Sequence, residues 1–156
     1  SNYEITPGTA FTQLLIHNHP GAVAWVNGSE RYPDLNGAVS GTVKFYHTIY
    51  GGVLVEAEIF GLPNINLPGS SNFYAMHIHD SGDCSDHFSH TGLHYNPGNM
   101  PHPDHAGDMP PLLGNQGYAF SVFYDKRYTI REIVGRSVII HEKPDDFTSQ
   151  PAGNAG

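Results

Sequence analysis

Five segments of this 156-residue chain have the pattern of β-strands, which is clearest in residues 39–46 and 53–59, where apolar residues share one face. Side chains of a β-strand point alternately to opposite faces, so the pattern predicts strands that each bury one face. The segments are residues 22–26, 39–46, 53–59, 118–124 and 137–141. Asn-Gly and Gly-Gly pairs between them predict tight turns, as in an antiparallel sandwich or barrel. The sequence therefore predicts an all-β domain.

The other segments show little regular pattern. No stretch of ten or more residues has a convincing helical period of 3.6, and residues 1–20 are interpreted as an extension before one domain that spans residues 21–156. Residues 80–116 form a polar, non-strand connection far longer than an ordinary loop, and residues 141–156 form a second polar segment. Long loops in compact domains are usually functional or disordered. The histidines in the first segment favour function.

Charge and hydropathy argue against two classes of partner. The net charge is −8 with histidine neutral, which disfavours binding to nucleic acid or to an anionic membrane surface. No run approaches the roughly 18 consecutive apolar residues that a membrane helix needs. We therefore expect neither nucleic acid nor a membrane among the partners of this chain.

Histidine is in large excess: the chain has eleven, seven of them between His77 and His105. Such clustering suggests metal binding. His77 and His79 stand at i and i+2, so in a strand both imidazoles point to the same side and can bind one metal. Most His-x-His pairs bind nothing, and this pair alone is a weak signal. His141, at the end of the last strand, is a candidate further ligand, and nitrogen-only ligation suits Cu(II).

A second candidate site lies in the polar connection. His102, His105 and Asp108 are spaced three residues apart, and the prolines on both sides of His102 argue against a helix. A loop can wrap three such side chains around one ion. With His94 they offer three nitrogens and one oxygen, a complete set for tetrahedral Zn²⁺. The alternative is a loop of solvated histidines.

Four segments resemble, in their order along the chain, the copper/zinc superoxide dismutases of the bacterial type. They are residues 76–84 (MHIHDSGDC), 92–97 (GLHYNP), 102–108 (HPDHAGD) and 134–141 (VGRSVIIH). Residues 144–147 (PDDF) and 153–156 (GNAG) extend the resemblance, which covers residues 21–156. The resemblance implies an eight-stranded Greek-key β-barrel or sandwich, immunoglobulin-like, with long metal-binding and electrostatic loops.

The resemblance also implies a role for each site residue. The positions of the copper ligands are filled by His77, His79, His94 and His141, which are also the catalytic residues. The positions of the zinc ligands are filled by His94, His102, His105 and Asp108, so His94 would bridge both metals. Asp145 stands where an aspartate hydrogen-bonds to the outer nitrogens of two ligands, here His77 and His102. The implied activity is dismutation of superoxide to oxygen and hydrogen peroxide by a redox-cycling copper beside a structural zinc.

The family pattern continues past Gly156 through one more strand, with an arginine beside the copper and a cysteine that bonds to the position of Cys84. We therefore expect a missing C-terminal strand and impaired activity, either because the sequence is a fragment or because the protein lacks that segment. Cys84 would then be a free thiol or pair between chains. Lys143, Arg127 and Arg136 could add positive potential, although structural or surface roles are the simpler interpretation.

Several alternatives stay open. A non-catalytic copper- or zinc-binding relative, acting as a metal store, carrier or structural module, competes with the enzyme. A zinc hydrolase is less favoured because the ligand set leaves no open position and no glutamate stands as an obvious base. His87 and His90 are interpreted as surface residues. The oligomeric state is not fixed, a homodimer being one alternative, and acidity with a removable signal favours an extracytoplasmic location, secreted or in the cell envelope.

Overall fold

A computed structural model describes residues 6–28, 39–64, 67–69 and 71–141, except for the side chain of His87. Eight strands lie in these residues: β1 (Ala22–Asn27), β2 (Ser40–His47), β3 (Val53–Phe60), β4 (Phe73–Tyr74), β5 (Met76–His79), β6 (Leu112–Leu113), β7 (Ala119–Asp125) and β8 (Ser137–Ile140). Three helices accompany them: α1 (Pro7–His17), α2 (Ser85–Phe88) and α3 (Ile130–Ile133). The described part of the chain is therefore built mainly from strands.

The strands pair antiparallel throughout. The main sheet has the order β1-β2-β3-β7, while β4 pairs with β6 and β5 with β8. The chain thus leaves the main sheet after β3 and returns to it only at β7, a non-sequential order typical of Greek keys. The prediction of an all-β antiparallel fold is confirmed.

The apolar core joins the main sheet to β5. Inward residues of β3, among them Val55 and Ile59, are fully buried and belong to one cluster with Met76 and Ile78 of β5. Because side chains alternate along a strand, the residues between them on β5 point to the opposite side. One face of β5 therefore packs into the core, and the other carries the histidines.

Residues 7–17 form helix α1, although the sequence showed no convincing helical period over ten or more residues. Half-buried Phe11, Leu14 and Leu15 line one side of the helix. Phe11 stacks on Tyr124 of β7 with 4.9 Å between ring centroids and meets Tyr50 edge-on at 5.9 Å. A helix this short is marginal alone, so packing on the sheet, which the sequence pattern does not display, decides its formation.

Short elements also interrupt the polar connection 80–116, which was predicted to contain no strand. Helix α2 and strand β6 lie within it. β6 forms because fully buried Leu112 pairs with Tyr74 of β4, a contact between distant parts of the sequence. None of the three helices in the described part of the chain has the length and hydropathy required to cross a bilayer.

Candidate metal centre

Two strands place three of the predicted histidines together. His77 and His79 lie on the face of β5 opposite the core, with 1% and 8% of their surface exposed. β8 pairs with β5 in the register that sets Ile140 opposite Met76, so His141 follows directly beyond the pair. The ring centroids of His77 and His141 are 4.7 Å apart.

His94 completes the first group of donors. It reaches β5 through an isolated bridge to His79. The group consists of His77, His79, His94 and His141, and one ligand nitrogen from each lies within 4.8 Å of the others. Nδ1 of His79 lies 2.9 Å from the carbonyl oxygen of Gly92. Since only a protonated nitrogen can donate to a carbonyl, Nε2 of His79 keeps its lone pair for a metal.

The second group consists of His94, His102, His105 and Asp108, also within 4.8 Å of one another. The Asp108 carboxylate lies at its centre: Oδ1 is 2.9 Å from Nδ1 of His94, and Oδ2 is 3.0 Å and 3.1 Å from Nδ1 of His102 and His105. All four side chains are buried. His94 belongs to both groups.

Burial and mutual contacts set the protonation of two of these residues. Burial, with the nearby His94 and His141, lowers the pKa of His79 to about 4, although its bond to Gly92 opposes the shift. Burial acts to raise the pKa of Asp108, but the hydrogen bond from His94 and the neighbouring histidines outweigh it and hold that pKa below its ordinary value. At neutral pH a neutral imidazole and a carboxylate result, which are the metal-binding forms.

The donor sets suit two different ions. Three nitrogens and a carboxylate are a usual set for Zn²⁺, and a nitrogen-only group suits Cu(II). The buried carboxylate among three imidazoles, shown by the contacts of Asp108, is the arrangement expected where a cation binds. The residues present therefore fit a copper ion beside a zinc ion.

Arg127 connects the second group to the main sheet, a contact that sequence reasoning missed. Its guanidinium binds the Asp125 carboxylate and the backbone oxygens of His105 and Asp108. In the sequence, the one local sign of this contact is an aspartate, Asp125, two residues before Arg127 at the end of a predicted strand. Arg136, another of the three cations considered, donates to the backbone oxygen of Asp80 at 3.0 Å.

The remaining predicted residues are not members of the two groups or fall outside the described residues. Asp145 and Lys143 fall outside them. Cys84 is exposed. His90 is exposed, and its Nε2 lies 3.6 Å from Asp86; the side chain of His87 is not among those described.

Comparison with known proteins gives consistent matches. The family model for copper/zinc superoxide dismutase matches residues 39–156. Superoxide dismutase [Cu-Zn] 3 of Arabidopsis thaliana is 35% identical over 134 residues, which cover 76% of this chain and 77% of the relative. Superoxide dismutase [Cu-Zn] A of Xenopus laevis is 33% identical over 136 residues, covering 78% and 85%. A solved structure described as the clock protein EA4 matches with a TM-score of 0.69 and 28% identity, covering 88% of each chain.

An antiparallel β fold with two groups of metal donors defines a β-barrel metalloprotein. The chain belongs to the copper/zinc superoxide dismutase family. The predictions of the family, of its Greek-key barrel fold and of copper and zinc as its metals are confirmed. Assignment to the bacterial type stays a prediction.

Proposed function

We propose that this chain catalyses the dismutation of superoxide to oxygen and hydrogen peroxide. Copper would be held by His77, His79, His94 and His141, and zinc by His94, His102, His105 and Asp108. The observation that carries the proposal is the sharing of one buried ring, His94, by both groups of donors. Two relatives named superoxide dismutase [Cu-Zn] support the same activity.

The orientation of His94 suits a residue that serves two ions. Its Nδ1 lies 2.9 Å from Oδ1 of Asp108 and 3.3 Å from Nδ1 of His105, within the second group. The opposite ring nitrogen, Nε2, is then left for the first group. The ring also stacks on His77 with 4.0 Å between centroids, which restricts its rotation. Nε2 is therefore the atom at which His94 can take up and release a proton during turnover.

Copper, when bound, supplies the one-electron chemistry, and zinc has no redox chemistry of its own. The protein supplies orientation and access. Gly92 fixes the tautomer of His79, so that Nε2 faces Nε2 of His141 at 3.4 Å. His141 is partly exposed, whereas His77, His79 and His94 are buried. Superoxide would therefore approach the first group from the side of His141.

A non-catalytic metal-binding role is the second candidate. The same fold can host different functions, and the solved structure that matches over 88% of this chain is described as a clock protein. In that role, this chain would use its two groups of donors to store, carry or retain metals.

A combined metal and activity measurement separates the two candidates. The full chain is reconstituted with copper and zinc, bound metal is measured by mass spectrometry, and superoxide decay is followed after pulse radiolysis. We expect one copper and one zinc per chain and decay that depends on the concentration of loaded protein. Decay at the rate of the metal-free chain, with both metals bound, would contradict the dismutase and favour the second candidate. Refusal of copper would do the same.

A further inference from the structure

The end of strand β7 holds an arginine in a fixed orientation. Asp125, the last residue of β7, is buried and stands opposite Val53 of β3 in the main sheet. Nε of Arg127 donates to Oδ1 of Asp125 and Nη2 donates to Oδ2, each at 2.9 Å. The backbone N–H of Arg127 also donates to Oδ1 at 2.9 Å. Two parallel bonds from a planar guanidinium fix its direction as well as its position.

The remaining donors of this guanidinium reach the loop that carries part of the second group. Nη1 donates to the backbone oxygen of His105 at 2.9 Å, and Nη2 donates to that of Asp108. These residues begin and end a tight turn, in which the N–H of Asp108 donates to the oxygen of His105 at 2.9 Å. Arg127 therefore binds both ends of the turn. The side chains at these two ends, His105 and Asp108, belong to the second group.

The middle of the turn has a separate attachment. The N–H of Gly107 donates to the oxygen of Tyr95, and the N–H of Ile78 donates to the oxygen of Gly107, both at 2.8 Å. The turn is thus attached to β5 at its centre and to the main sheet through Arg127. The Asp108 end is also bridged to His77 of β5, and the N–H of Met109 donates to the oxygen of Met76 at 3.3 Å. Loss of the arginine would therefore release chiefly the His105 end of the turn, while the rest stays attached to β5.

Two effects of Arg127 on a bound dication oppose each other. Its positive charge repels a cation at the second group, and its hydrogen bonds hold His105 and Asp108 in place before the cation arrives. The charge is paired with the Asp125 carboxylate, and 40% of the arginine side chain is exposed, so solvent screens it. We therefore expect the ordering of His105 and Asp108 by Arg127 to raise zinc affinity by more than the charge of the guanidinium lowers it.

We propose that Arg127, held by Asp125, is a positioning residue that fixes the His105–Asp108 turn for zinc binding. The inference rests on the proposed zinc role of the second group. Loss of Arg127 should lower zinc affinity more than copper affinity, because the hydrogen bonds of its guanidinium run to Asp125 and to two residues of the second group.

The test compares Arg127→Gln and Arg127→Lys with the matched control Arg131→Gln, which alters an exposed arginine on α3. Zinc affinity is measured by competition with a chromophoric chelator, and cobalt(II) absorption reports the geometry of the second group. We expect Arg127→Gln to weaken zinc binding by about 10- to 100-fold, the range for loss of a contact that orients a ligand. Arg127→Lys should recover little, because an ammonium cannot form the paired bonds to Asp125. Arg131→Gln should match the parent chain.

Several outcomes would overturn the inference. They are zinc affinity within about twofold of the parent for Arg127→Gln, tighter binding, full recovery by Arg127→Lys, or an equal loss of copper affinity. If Arg127→Gln does not fold, Asp125→Asn replaces it, since it keeps the guanidinium but removes its charged acceptor. Parent-like zinc affinity in that variant would overturn the inference as well. Absence of zinc binding by the parent chain would instead contradict the proposed function.

Discussion

Nε2 of His79 and Nε2 of His141 lie 3.4 Å apart, although 62 positions separate the two residues. The antiparallel pairing of β5 with β8 brings them together. Because Nδ1 of His79 carries the proton that Gly92 accepts, its Nε2 presents a lone pair to His141. That lone pair is available to a cation placed between the two nitrogens. The strand register therefore assembles half of the first group before any metal binds.

Replacement of His141 by alanine should remove copper and leave zinc. His141 belongs only to the first group, and the second group keeps all four of its donors. Metal content after dialysis, measured by mass spectrometry, checks this prediction. The matched control is His90→Ala, which removes an exposed histidine that belongs to neither group and should leave both metals bound. Loss of both metals in His141→Ala would contradict the separation of the two ligand sets.

Replacement of His94 by alanine should lower the affinity for both zinc and copper, because this ring is the one member common to the two groups. Loss of a residue that hydrogen-bonds to a ligand lowers metal affinity by roughly 10- to 100-fold. Loss of a direct ligand should lower the affinity for each ion by more than that. Chelator competition for zinc and for copper, measured separately, provides the check. An unchanged affinity for either ion would show that His94 serves only one of them.

Replacement of Phe11 by alanine should destabilise the metal-free protein by about 1–2 kcal/mol. The half-buried ring packs between Tyr50 and Tyr124, so the change loses apolar burial and aromatic contact. Ile16→Ala is the control, since Ile16 lies on the same helix but is 65% exposed. Denaturant unfolding measures both variants. Equal effects would mean that α1 is not docked on the sheet through Phe11.

Replacement of Tyr95 by phenylalanine should destabilise the protein by about 1 kcal/mol near neutral pH. The Tyr95 hydroxyl donates to Oε2 of Glu132 at 2.7 Å, and this bond is the main cause that lowers the pKa of Glu132. A lowered carboxyl pKa means that the stabilisation is present above the ordinary value of 4.5 and is lost as the pH falls through the folded value.

The stability difference between the parent chain and Tyr95→Phe should therefore shrink below pH 4.5. Denaturant unfolding across the acidic range measures it. Tyr118→Phe is the control, because Tyr118 makes a similar bond to Glu58 at 2.8 Å in an exposed setting, where the contribution should be smaller. A difference that grows as the pH falls would contradict the assignment.

Local patterns explain which parts of the molecule the sequence predicts. Strand alternation orients His77 and His79, and the three-residue spacing of His102, His105 and Asp108 is a short-range signal; the structure brings all of these side chains into two groups that share His94. Their assignment to particular metals stays a prediction, as do the bridging role of Asp145, the homodimer and the extracytoplasmic location.

Contacts between distant segments explain what the sequence did not predict. Helix α1 depends on the docking of Phe11 against Tyr124, and β6 depends on its pairing with β4. The role of Arg127 depends on a turn about twenty residues earlier in the chain. Neither periodicity nor motif spacing records such contacts.

If His94 serves both ions as proposed, its membership in both groups makes the binding of zinc and the binding of copper a single linked equilibrium. Whatever factor zinc binding applies to the affinity for copper, copper binding must apply to the affinity for zinc. Repulsion between the two ions lowers that factor, and prior ordering of the shared imidazole raises it. When both ring nitrogens of His94 bind metal, the imidazole must also give up its last N–H proton. The retention of each metal would then depend on the supply of the other and on the acidity of the surroundings.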